Sequence, residues 1–198
     1  MKRFLGAVFA LMLGAPVAAM AQGAYNHAEV GIFGDYFRAE ATNQNLFGVG
    51  GRVGFSVHPH VKLELDGAYD FAHNYSSTIT GTCNSGTVNN CGTVNVGLRA
   101  THFTAGPKFQ FGKSSPVRLF VFAKGGFVRF GASYSAVTFG NFPTGLENRD
   151  VNGVFYPGGG VEMFAGPFGV RADVGDEIYF DRGAHNNIRI TFGPVIRF

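Results

Sequence analysis

The feature that most constrains this chain is a two-residue alternation of bulky apolar side chains with small or charged ones. It is clearest near the C-terminus, where one parity carries Ile188, Ile190, Phe192, Pro194, Ile196 and Phe198 and the other carries Arg189, Thr191, Gly193, Val195 and Arg197. Successive side chains of a strand point to opposite faces, so this pattern predicts a strand with one apolar face and one mostly polar or small face. Segments 47–57 and 61–71 repeat it over ten or more residues each.

Weaker alternation predicts five further strands, around 29–36, 94–111, 118–127, 154–164 and 168–175. The parity of the second of these slips near His102, which predicts a β-bulge there. Thirty glycines and 22 phenylalanines among 198 residues, with only 15% charged residues, argue against helical bundles and against disorder. The sequence therefore predicts an all-β domain of eight strands.

The N-terminus has the pattern of a secretory signal peptide. Lys2 and Arg3 precede the apolar run 4–13, and Pro16 and the Ala-x-Ala of 19–21 follow it. We expect cleavage after Ala21, which leaves 22–198 as the mature barrel domain; a membrane anchor is the alternative. Without the first 21 residues the charge is nearly balanced, which gives no reason to expect nucleic-acid binding.

The connections between the predicted strands alternate in length. Short turns at 58–60, 112–116 and 165–167 alternate with longer polar stretches at about 38–46, 73–93, 131–152 and 180–187. Strands of 10–12 residues joined in this way are typical of bacterial outer-membrane barrels. The prediction is an all-β, eight-stranded antiparallel up-and-down transmembrane β-barrel, with short periplasmic turns and long extracellular loops.

The same alternation also fits a soluble lipocalin-like barrel, which would bury the apolar parity. Two features favour lipid instead. The apolar parity is bulky over 10–12 residues, enough to cover an apolar band about 25 Å tall. The opposite parity is rich in small residues mixed with charges, which suits a narrow lumen.

The C-terminal run ending in Ile196-Arg197-Phe198 resembles the terminal signal of outer-membrane barrels. Together with the periodicity, it makes the mature chain similar to the small eight-stranded outer-membrane β-barrel family: OmpA-type transmembrane domains, OmpX-like proteins and opacity proteins. The resemblance implies an assembly signal at Phe192, Ile196 and Phe198 read by the barrel assembly machinery. It also implies a location in the bacterial outer membrane, in contact with its lipids and lipopolysaccharide. The absence of Trp departs from the family, so Phe and Tyr would form the interfacial girdles.

Placing the polar parity inside predicts a charged lumen whose members pair or are hydrated, because an unpaired buried charge is costly. The expected basic members are Arg52, Lys62, Arg99, Lys108, Arg118, Lys124, Arg171, Arg189 and Arg197. The expected acidic members are Glu29, Asp35, Glu64, Asp66, Asp70 and Asp173. The interpretation is a salt-bridged plug; the alternative is a narrow pore with a mild anion preference from the basic excess.

Other candidate sites are weaker. Cys83 and Cys91 share one predicted loop and would form a disulfide in an oxidising compartment, with two free thiols as the alternative. His58 and His60 flank a Pro turn and lack a third ligand nearby, so we expect no metal site. The acidic cluster at 173–181 is a candidate for cation or lipopolysaccharide counter-ion binding.

The functional prediction is a monomeric, non-catalytic barrel without a cofactor, with a structural or adhesin-like surface-interaction role. Loops 73–93 and 131–152 are the expected contact surfaces for an extracellular ligand. Three alternatives remain: a narrow pore, a lipid-modifying barrel enzyme using a residue such as Ser77, and a soluble periplasmic binding barrel.

Overall fold

The computed structural model describes residues 28–40, 43–79, 92–112, 116–135 and 151–198, with the side chains of 75–79, 92–96 and 132–135 outside the description. Nearly all of these residues are in strands. The strands are β1 (Ala28–Ala39), β2 (Gln44–His58), β3 (Val61–Ile79), β4 (Gly92–Phe111), β5 (Val117–Ser135), β6 (Val151–Ala165), β7 (Phe168–Asp176), β8 (Ile178–Phe180), β9 (Ala184–His185) and β10 (Asn187–Arg197).

The strands form one closed antiparallel sheet. Each pairs with its neighbour in sequence from β1 to β7, and β10 pairs with both β7 and β1, which closes the barrel. β7 and β8 pair with β6 in one continuous register, as Gly158↔Gly175 and Val154↔Tyr179 show. In the same way β9 continues the line of β10. With β7–β8 and β9–β10 each counted as one interrupted strand, the barrel has eight strands, as the sequence predicts.

The two ends of the barrel differ in their connections. At one end, here called the turn end, the β2–β3, β4–β5 and β6–β7 connections are short. At the other, the loop end, β3 and β4 are separated by 80–91 and β5 and β6 by 136–150. Ala28 and Phe198 exchange two backbone hydrogen bonds of 3.0 Å at the turn end.

The predicted apolar row faces outward and the mixed row faces inward. Phe55, Leu65 and Ile190 are 57%, 37% and 43% exposed. Arg52 and Glu64, from the opposite parity, are only 4% and 3% exposed. The pleat therefore separates an apolar exterior from a charged lumen.

The structure of β4 contradicts the prediction of a β-bulge near His102. Its buried positions keep a single parity from Leu98 through His102 to Gln110, and its pairing with β5 has no register shift. The bulge lies on β3 instead, where Phe71 and Ala72 face the single residue Arg99. The apparent slip arises because Leu98 and Ala100 are apolar, which predicts an outward position, whereas both are buried within the barrel.

The strands flanking the long connections extend further than the apolar pattern indicates. β3 continues to Ile79 and β5 to Ser135, into segments predicted as loops. Backbone pairing continues where the outward face is no longer apolar, so hydropathy underestimates strand length there.

The described residues form no helix of the length and apolar character needed to span a membrane. The signal segment 1–21, Cys83 and Cys91 lie outside the described residues, so cleavage and the disulfide stay predictions.

Candidate functional site: the charged lumen

The turn-end half of the lumen is organised around Lys108. Its Nζ lies 2.6 Å from Glu29 Oε1, 2.7 Å from Glu64 Oε1 and 2.5 Å from Glu162 Oε1. Lys62 forms a second ion pair with Glu29. These side chains are almost fully buried, so the pairing replaces water as the source of charge compensation.

Arg171 links this cluster to the middle of the barrel. Its guanidinium donates to both carboxylate oxygens of Glu64, at 2.5 and 3.1 Å, and its Nε donates to Asp173 Oδ2 at 2.8 Å. A further contact of 3.2 Å reaches Glu162. The guanidinium carbon also lies 4.1 Å from the centroid of Phe120, which supports a planar cation on one face.

The network continues without a break through Lys124 and Arg52. Lys124 Nζ lies 2.9 Å from Glu64 and 2.5 Å from Asp66. Arg52 bridges Asp66 at 3.3 Å and Asp173 at 2.8 Å. The turn-end and central charges therefore form one connected ion-pair system across the lumen.

A second cluster lies nearer the loop end. Arg189 donates to both oxygens of Asp35, at 3.0 and 2.5 Å, and to Glu177 Oε2 at 2.7 Å. His102 spans Glu177 and Asp70, with Nδ1 2.6 Å from one carboxylate and Nε2 2.9 Å from the other. A carboxylate accepts hydrogen bonds, so the imidazolium form satisfies both contacts.

Apolar side chains share the lumen with these charges and extend from its middle to its loop end. They pack as a single buried cluster of Phe37, Ala39, Leu46, Leu98, Ala100, Phe120, Phe122, Val128, Val154 and Tyr156, with Phe130 and Tyr179 packed against it. The ring of Phe37 lies 4.8 Å from that of His102, so the apolar cluster directly covers the second ion-pair cluster. The cluster also reaches between the cations of the network, since Arg171 lies over the ring of Phe120 and Lys124 over that of Phe122.

The lumen does not carry the predicted basic excess. Among the described residues, eight carboxylates are buried against six Lys and Arg side chains and one His. The expected basic excess is wrong because Arg99 faces outward and two further acids, Glu162 and Glu177, are buried inside. With the half-buried Arg118 and Arg197 at the lumen mouth, eight Lys and Arg side chains balance the eight carboxylates. No group of three or more described His, Cys, Asp or Glu residues could hold a metal ion.

One of the predicted lumen cations lies on the outer face, and two, on the inward parity of β5 and β10, lie at the turn-end mouth of the lumen. Arg99 is exposed on the outward face of β4, since that strand keeps its parity. Arg118 and Arg197 are half-buried at the turn end, where their guanidinium carbons lie 5.5 and 4.2 Å from the ring centroid of Phe164. The remaining predicted lumen residues are buried inside the barrel: Glu29, Asp35, Arg52, Lys62, Glu64, Asp66, Asp70, Lys108, Lys124, Arg171, Asp173 and Arg189.

Sequence reasoning missed three members of the network: Glu162, His102 and Glu177. Parity alone would have found Glu177, which lies four residues after Asp173 on the same face. Its proximity in sequence to Asp173 instead favours the acidic cluster at 173–181. The structure contradicts that cluster, because both carboxylates point into the lumen and pair with cations there.

The remaining candidates take up simple structural positions. His58 and His60 flank a turn, and His60 Nδ1 lies 3.2 Å from the carbonyl oxygen of Gln110. Phe192 and Ile196 of the predicted assembly signal are exposed on the outward face of β10. Recognition of that signal stays a prediction.

One lumen hydrogen bond allows a matched test of the network. Arg52 Nη2 donates to Thr191 Oγ1 at 3.2 Å, and both residues are buried. We expect Thr191→Val to lower the free energy of unfolding by about 1.5 kcal/mol, because it removes an acceptor from a buried cation. Thr101, exposed on the outward face of β4, is the matched control, and Thr101→Val should be neutral within about 0.5 kcal/mol. Equal effects at the two positions, measured by urea unfolding in lipid vesicles, would contradict this role of Thr191.

Comparison with solved structures identifies the fold. The N-terminal β-barrel domain of Pseudomonas aeruginosa OprF is 16% identical, with a TM-score of 0.54 over 89% of this chain and 100% of that one. Neisserial surface protein A is 13% identical, with a TM-score of 0.52 over 89% and 100%. A major outer membrane protein from Thermus thermophilus is 11% identical, with a TM-score of 0.52 over 86% and 99%.

These similarities confirm the predicted architecture. The chain has the closed, eight-stranded, all-antiparallel barrel fold of small outer-membrane proteins. No protein-family model and no curated protein sequence matches it.

Proposed function

We propose that this chain is a non-catalytic β-barrel of the bacterial outer membrane, with a structural or surface-interaction role and a lumen plugged by ion pairs. The observation that carries the proposal is the inverted distribution of polarity. Large apolar side chains are exposed all round the barrel, whereas eight carboxylates and six Lys and Arg side chains are buried within it.

Lipid is the environment that suits such an exterior. Monomeric soluble proteins rarely expose contiguous apolar patches larger than a few hundred Å². Here 28 large hydrophobic side chains are exposed among the described residues, and each of the eight strands of the barrel carries some of them. A soluble binding barrel would reverse the two faces, with its apolar row lining a ligand cavity.

The lumen supports a plug in preference to a pore. The ion pairs reach across the barrel, as between Arg52 and Asp173 on β2 and β7. The apolar cluster packs between these ion pairs and continues towards the loop end. Eight strands enclose little more than side-chain volume, and here that volume holds both the ion pairs and the apolar cluster.

A surface-interaction role follows from the connections rather than from the lumen. The strand ends that flank the longest connections lie together at the loop end, and a rigid scaffold carrying loops is a common arrangement for binding. For the alternative of a lipid-modifying enzyme, His73 is exposed at that end, whereas the side chain of Ser77 lies outside the described residues. The buried His102 uses both ring nitrogens to pair with the carboxylates of Asp70 and Glu177.

Membrane fractionation with electrophoresis of unboiled and boiled samples tests the localisation. We expect the protein in the outer-membrane fraction, with different migration before and after boiling because the folded barrel resists the detergent. Recovery in the aqueous fraction, with identical migration of both samples, would contradict the proposal and favour the soluble barrel.

Planar bilayers containing the folded protein should show no discrete conductance steps; regular steps would overturn the plug and favour the pore.

A further inference from the structure

Charged side chains on the outer face of the barrel are confined to one end. In the described strands, the outward positions that carry a charge are Arg38, Arg99, Arg129 and Asp176, all at the loop end. Asp176 accepts a hydrogen bond from the backbone of Asn187, and Arg38 donates to the side chain of Asn43. Arg99 and Arg129 share the same side of the barrel, on the neighbouring strands β4 and β5.

The two arginines are adjacent in the sheet. Arg99 lies opposite Gly131, and Arg129 lies opposite Thr101, so the guanidinium-bearing positions are diagonal neighbours. A Cβ on Gly131 would meet Arg99 Nε at 2.7 Å and its Cγ at 3.1 Å. The side chain of Arg99 therefore lies across the backbone of β5, in space that only glycine leaves open.

The surroundings contain no described anion for these cations. No outward position on the described parts of β3 to β6 carries Asp or Glu, since Glu64, Asp66, Asp70 and Glu162 all face inward. Opposite Arg99, β3 carries the bulge of Phe71 and Ala72, neither of which is charged. Two exposed cations with no described acid beside them are suited to an external anion.

The height of the pair matches the edge of an apolar layer. On β5 the outward positions from Val117 to Phe127 carry no charge, and Arg129 is the next. Ten residue steps at about 3.3 Å each, tilted by about 40°, span about 25 Å, the thickness of the apolar band of such barrels. Just below the arginines, Phe103 and Phe127 stack with ring centroids 5.5 Å apart, as expected of an interfacial aromatic girdle.

We propose that Arg99 and Arg129 bind the phosphate group of an outer-leaflet lipid whose acyl chains lie along the Phe103–Phe127 side of the barrel. The inference rests on the proposed membrane location and adds a ligand site on the outer wall. Guanidinium groups bind phosphate through charge-assisted hydrogen bonds, and the nearby apolar surface accounts for a lipid as the phosphate source.

Native mass spectrometry of the folded protein in a neutral detergent tests the site, with bisphosphorylated lipid A as the probe. The double variant Arg99→Gln/Arg129→Gln should bind this lipid about tenfold more weakly than the unaltered protein. Arg182→Gln is the matched control, because Arg182 is exposed at the same end but in a turn off the barrel wall, and it should bind normally. Lipid A without phosphates should bind to the double variant and to the unaltered protein with equal affinity.

The outcomes separate this inference from the proposed function. If all variants fractionate with membranes but the double variant binds bisphosphorylated lipid A normally, the phosphate site is wrong and the outer-membrane barrel stands. If inorganic phosphate at the same concentration displaces the lipid, the lipid assignment is wrong. Failure of the unaltered protein to enter membranes would contradict the proposed function itself.

Discussion

Replacing Arg171 with methionine is expected to lower the free energy of unfolding by about 3–5 kcal/mol. Arg171 pairs with Glu64, Glu162 and Asp173, and all four side chains are almost completely buried. Methionine retains much of the volume against Phe120 but removes the charge, so three carboxylates lose a cation that water cannot replace. Breaking one side of a buried pair costs far more than exchanging the whole pair for apolar groups.

The measurement is equilibrium urea unfolding of the barrel in lipid vesicles. Arg182→Met is the control, because Arg182 is exposed and no ion pair is described for it, and it should change stability by less than about 0.5 kcal/mol. The double variant Arg171→Met/Glu64→Gln should be more stable than Arg171→Met alone, since it removes one of the uncompensated charges. A loss below about 1 kcal/mol for Arg171→Met would contradict a lumen held together by this network.

Placing an arginine at Leu65 is expected to destabilise the folded barrel in vesicles by about 2–4 kcal/mol. Leu65 is 37% exposed and lies midway along the outward row of β3, between Val53 on β2 and Ala105 on β4. An arginine there would meet hydrocarbon near the middle of the bilayer. The same substitution on a water-facing surface would change stability by no more than about 0.5 kcal/mol.

Val151→Arg provides the depth-matched comparison. Val151 is 61% exposed and lies opposite Arg129 at the loop-end rim, where an outward charge should cost about 0–1 kcal/mol. The expected result is a clear difference between the two variants in the same vesicles. Equal stability of both variants and the unaltered protein would show that Leu65 does not face lipid.

How far the sequence predicts this barrel depends on the contrast between the two faces of each strand. In β10 and β3 one row is apolar and the other polar or small, so strand, register parity and orientation all follow from the pattern. In β4 the contrast fails, because Leu98 and Ala100 belong to the apolar part of the lumen. The resulting error in parity placed Arg99 inside, although its exposure is what suggests the phosphate site.

The lumen partners depend on barrel closure, which a single sequence does not specify. His102 and Glu177 are 75 residues apart in the chain but 2.6 Å apart in the lumen. Side-chain parity could place each in the interior, but only the registers of the intervening strands bring them to the same height. Glu162 was obscured because it follows shortly after three glycines that weaken the alternation of β6.

Fluorescence quenching by brominated lipids tests most directly which face of the sheet meets hydrocarbon. The chain contains no Trp, so a single introduced Trp is an unambiguous reporter. Phe192 is 63% exposed on the outward row, and Phe33 is 5% exposed on the inward row. We predict strong quenching of Phe192→Trp and weak quenching of Phe33→Trp in vesicles of the same brominated lipid. Unquenched emission from Phe192→Trp in the folded protein, or stronger quenching from Phe33→Trp, would contradict an apolar exterior in contact with lipid.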